Sequence, residues 1–71
     1  MEKYKIEVRG RLDPHWSEWL GDFEIRHLGP KSDRTELTGS VPDQAALYGI
    51  LTRLRDLGLP LVSVIRLQDP V

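Results

Sequence analysis

No cysteine occurs in this chain of 71 residues, so no disulfide can reinforce the small core that such a length allows. By surface scaling, a chain of this size buries only roughly 60% of the surface that its unfolded form exposes. The two histidines, His15 and His27, are well separated and have no thiols to join, which removes a structural zinc site of the sulfur and imidazole kind. Good packing of a single domain over residues 1–71, or association with a second copy, is what remains. The balance of 39% hydrophobic and 30% charged residues is that of a globular protein, so the chain is expected to fold.

Hydrophobic periodicity divides the chain into six segments. From Lys3 to Leu12 the residues alternate, with Tyr4, Ile6, Val8 and Leu12 in one phase and Lys3, Lys5, Glu7, Arg9 and Arg11 in the other, the pattern of a half-buried strand. Gly10 falls in the inward phase, where a missing side chain permits a bulge or a close neighbour. Asp13-Pro14 reads as a helix start and Gly21 as its stop, which leaves about two turns. Trp16, Trp19 and Leu20 form its apolar stripe, and both tryptophans are expected to fill the core. Phe23 to Leu28 predicts a second strand, and Thr35 to Val41 a third, joined by a hairpin loop over Gly29 to Asp33.

The strongest helix signal follows. Asp43 is placed to cap it, Leu47, Ile50, Leu51, Leu54 and Leu57 share one face, Arg53 and Arg55 suit the negative end of the dipole, and Gly58 ends it. Gly49 within it predicts a close helix-to-sheet contact. The last strand, Pro60 to Leu67, is apolar in both phases, with Leu61, Ile65 and Leu67 in one and Val62 and Val64 in the other. The tail from Gln68 to Val71 is expected to fray.

This order predicts an α+β fold of the βαββαβ ferredoxin-like, open-faced type, a four-stranded antiparallel sheet with two helices on one face, the first helix short. Strands one and three take the centre and strand four an edge beside strand one.

Several functions are argued against by residue type. Single-stranded RNA binding on such a sheet needs aromatic side chains on the open face, and Tyr4 lies in the opposite phase. Lys3, Lys5, Arg9 and Arg11 instead face Glu24 and Glu36, a charge-paired surface, and a net charge of −1 supplies no general attraction for phosphate. No nucleic-acid partner is therefore expected; weak binding through the basic strand 3–12 is kept as an alternative. Catalysis has only Asp13, His15 and Glu18 to draw on, and Asp13 already has a capping task, so no enzyme activity and no cofactor or metal are expected. No apolar run approaches the roughly 18 residues of a membrane span, and the start of the chain leads straight into alternation, so a cytoplasmic location without membrane contact is expected.

The run Asp43-Gln44-Ala45-Ala46-Leu47-Tyr48-Gly49-Ile50-Leu51, continued by Leu54-Arg55-Asp56-Leu57-Gly58-Leu59, resembles a widespread group of short, uncharacterised bacterial proteins, and Trp16-Ser17-Glu18-Trp19 resembles the same group. That resemblance implies a family and no activity. The order of strands and helices is also similar to that of ACT domains, which sense amino acids, and this implies a small-molecule ligand at the turn after strand one. The turn here, Leu12-Asp13-Pro14-His15, has neither the spacer nor the glycine of the ACT turn.

No pattern in the chain names an activity. The reading that fits best is a small interaction module that pairs with itself or with a protein partner through strand four. Val62, Val64 and Arg66 are the expected contact residues, with Trp16 as a further one.

Overall fold

The computed structural model describes residues 2–21, 23–29 and 33–67. Most of the expected hairpin loop after Gly29, and the tail Gln68 to Val71, lie outside the described residues. Strands β1 (Glu2–Arg9), β2 (Glu24–His27), β3 (Arg34–Val41) and β4 (Leu61–Leu67) form one antiparallel sheet in the order β2-β3-β1-β4, and one α-helix, α1 (Gln44–Asp56), joins β3 to β4. The fold is α+β, an open four-stranded antiparallel sheet with one α-helix among the described residues.

The alternation of β1 is realised in space. Tyr4, Ile6 and Val8 are buried, and so are Leu37 and Val41 on β3. In register, Ile25, Leu37, Ile6 and Val64 make one apolar row across all four strands. The strand ends earlier than the alternation suggests because Gly10 turns to φ +106°, a conformation that favours glycine. A Cβ there would also come within 2.9 Å of the Leu59 side chain.

Helix α1 forms as its signals require. The Asp43 carboxylate accepts the Ala46 N–H at 2.9 Å, and Leu47, Ile50 and Leu54 are buried against the sheet with Leu51 and Leu57 partly so. Its end is a Schellman turn: Gly58, at φ +75°, donates to the Arg55 carbonyl, and Leu59 donates to that of Leu54.

The expected first helix, and with it the two-helix ferredoxin-like arrangement, does not form. A single 3-10 turn, Pro14–Ser17, stands in its place. Asp13 does cap it, accepting the His15 N–H at 2.9 Å. A cap and a stop only eight residues apart leave too little length to repay helix nucleation, and 3-10 winding suits such short pieces. Leu12, Leu20 and Phe23 from this crossover still join the core beneath α1, so both connections cover the same side of the sheet.

Gly49 has a different environment from the one its position suggests. It is exposed, and an added Cβ would meet nothing within 4 Å. Gly49→Ala is therefore expected to stabilise the protein by about 0.5–1 kcal/mol, a rise in Tm of several degrees in thermal unfolding. A fall in Tm would show that a side chain is not accommodated there.

Candidate interaction surface

The two edges of the sheet are unlike. Strand β2 has four residues and carries Glu24 and Arg26, features that discourage pairing with another chain. Strand β4 has seven residues, Leu-Val-Ser-Val-Ile-Arg-Leu, with one charge, and among the described residues no strand flanks its outer side. Leu61, Val62 and Ile65 are 53%, 42% and 46% exposed.

The register with β1 decides which of these side chains faces where. Val64 stands opposite Ile6 and packs on the core, whereas Ser63, Ile65 and Leu67 stand opposite Glu7, Lys5 and Lys3 on the open face. Of the second face expected around Val62 and Val64, Val62 is exposed, whereas Val64 is partly buried against the core, and the apolar residues of the open-face row are Ile65 and Leu67. Between Ser63, opposite Glu7, and Leu61, opposite Val8, Val62 is the extra residue of a register shift, a β-bulge. Arg66 lies opposite Tyr4, 3.6 Å from the Glu2 carboxylate, which also accepts bonds from Gln44 and the Tyr4 hydroxyl. A groove of about 410 Å³, bordered by Leu51, Leu54, Leu59 and Leu61, opens between the end of α1 and the start of β4. Apolar surface therefore continues around this edge.

On the open face Arg26 of β2 stands directly opposite Glu36 of β3, but the charges of β1 and β3 do not pair straight across. Glu7 stands opposite Glu36 and Arg9 opposite Arg34, while Lys3 and Lys5 meet Ser40 and Thr38. Attraction there runs instead from Arg34 to Glu7 at 3.2 Å and from Arg9 to Asp33 at 3.6 Å. Exposed pairs of this kind contribute little to stability.

The tryptophans are not core residues. Trp16 and Trp19 are 39% and 41% exposed, with ring centroids 5.4 Å apart, and only Leu20 of the expected stripe is buried. The 3-10 turn and the residues that follow it bring the two rings together at the surface with their planes 59° apart. The Arg53 guanidinium lies 5.7 Å from the Trp19 ring centroid and donates to the Trp19 carbonyl. Thr35 and His27 are also structural residues that local pattern does not reveal: both bond to the strap between β1 and the 3-10 turn.

Among the described residues no group of three or more His, Asp or Glu side chains is placed to hold a metal ion, and no helix is long and apolar enough to cross a membrane. A family model described as a domain of unknown function, DUF8691, matches residues 3–65. No curated protein and no solved structure matches the chain.

Proposed function

The chain belongs to that family of unknown function, and from its surface we propose a non-enzymatic, self-associating module whose two copies join along β4. One observation carries the reading: a seven-residue edge strand leaves Leu61, Val62 and Ile65 exposed where natural sheets place charges, proline or a covering element. Two such strands meeting antiparallel about a twofold axis satisfy each other's outer N–H and C=O groups and merge the sheets into one of eight strands. The same contact buries Ile65 on the open face and Leu61 and Val62 beside the groove.

The contact is small. A standard interface buries about 800 Å² per partner, and one edge strand supplies roughly half of that, so micromolar rather than nanomolar association is expected. Sedimentation velocity from about 1 µM to about 1 mM should therefore show a monomer giving way to a dimer. Ile65→Lys adds a charge to each side of the junction without touching the core, and should weaken the dimer by about tenfold or more. A monomer throughout that range, or a dimer indifferent to Ile65→Lys, would remove the reading.

A further inference from the structure

On the other flank of α1, away from β4, a second cleft of about 370 Å³ opens between the helix and the crossover stretch that carries Leu20, Gly21 and Phe23. That volume is at the low end of ordinary small-molecule sites, which run from roughly 300 to 1,000 Å³. Its floor is the buried side chains of Leu20, Phe23, Val41 and Ile50. Its helical wall includes Gly49, the residue whose missing side chain has no packing cause. A Cβ at that position would project into open space, so the glycine keeps the cleft wide at a cost in helix stability.

The remaining feature is a single fixed cation. Arg53 lines the cleft with its guanidinium held against the Trp19 ring and carbonyl. Among the described residues no carboxylate forms an ion pair with it, and one bond to the Trp19 carbonyl engages only one of its five N–H donors. An arginine already pinned in place loses little freedom when it binds an anion, and its donor fork matches a carboxylate.

We propose that this cleft binds a small monocarboxylate with a short apolar tail, the tail on the Leu20, Phe23 and Ile50 floor and the carboxylate on Arg53. An apolar floor with one cation at its rim selects against amines and gives neutral alcohols no charge-assisted bond. The site is independent of β4, so it stands or falls separately from self-association.

The test is an amide and indole NMR titration of the whole protein with butanoate, hexanoate and octanoate, and with hexanol and hexylamine as controls. Saturable shifts should gather at Gly49, Arg53 and the Trp19 indole, with affinity rising about two- to fourfold per added methylene. Arg53→Gln should weaken hexanoate by about tenfold or more and leave hexanol unchanged. Gly49→Leu, which fills the cleft from an exposed position, should abolish both. If Gly49→Leu fails to fold, Arg53→Gln decides alone. Absence of saturable shifts, shifts centred elsewhere, or hexanol binding as tightly as hexanoate overturns the proposal.

Discussion

Ile6→Ala is expected to cost about 2–5 kcal/mol in unfolding free energy, read from a urea or thermal melt. Ile6 is fully buried in the central strand β1 and stands between Leu37 on one side and Val64 on the other. Truncation removes the middle of the row that runs from Ile25 to Val64, and neighbouring backbones in a sheet cannot close the gap. Chains of this length hold roughly 4–10 kcal/mol in total, so the variant forfeits a large part of its stability and melts ten or more degrees lower. Ile65→Ala provides the contrast. It lies one position along from Val64 but points to solvent, and in the monomer it should change stability by no more than about 0.5 kcal/mol. Equal losses at the two positions would contradict the register between β1 and β4.

That contrast also marks where sequence stopped being legible. A strand that alternates has only one way to hide its apolar side, so Tyr4, Ile6 and Val8 are readable from β1 alone. Helix α1 is readable for a similar reason: Asp43, Gly58 and five apolar residues at helical spacing all agree. Strand β4 is apolar in both phases, and periodicity cannot choose between them; the pairing of Val64 with Ile6 does. In the first crossover the Trp16, Trp19 and Leu20 spacing suggested a helical stripe, but a stripe needs enough turns to lie flat on a sheet. With one 3-10 turn, Leu20 alone reaches the core and the indoles remain outside. Gly49 misled differently. A glycine inside a helix marks either a close neighbour or a space kept open, and only coordinates tell these apart. The approach of Arg53 to Trp19 spans 34 positions, beyond any local pattern.

Thr35 lies equally far beyond local pattern, and its substitution should have the second largest effect. Its hydroxyl donates to the Gly10 carbonyl at 2.7 Å and accepts the Leu12 N–H at 3.1 Å, while His27 Nε2 lies 2.8 Å from the Leu12 carbonyl. Thr35 is fully buried and its bond from the Leu12 N–H is buried with it, so no water replaces that bond. Thr35→Val keeps the shape but strands a carbonyl and an N–H, at about 1–3 kcal/mol each before any relaxation, and a net loss of about 2–4 kcal/mol is expected. Thr35→Ser keeps the hydroxyl and loses one methyl, at about 1 kcal/mol. The near-isosteric change should therefore be the worse one, an order that a purely hydrophobic role for Thr35 reverses. Hydrogen exchange localises the effect: the Leu12 amide should be protected in the parent and in Thr35→Ser and exchange much faster in Thr35→Val. Because the strap at Leu12 leads directly into the turn that seats Leu20 and sets Trp16 beside Trp19, tryptophan emission should shift in Thr35→Val well before global unfolding. Emission that changes only with the global transition would mean that the crossover is held by Leu20 and Phe23 alone, without the Thr35 clasp.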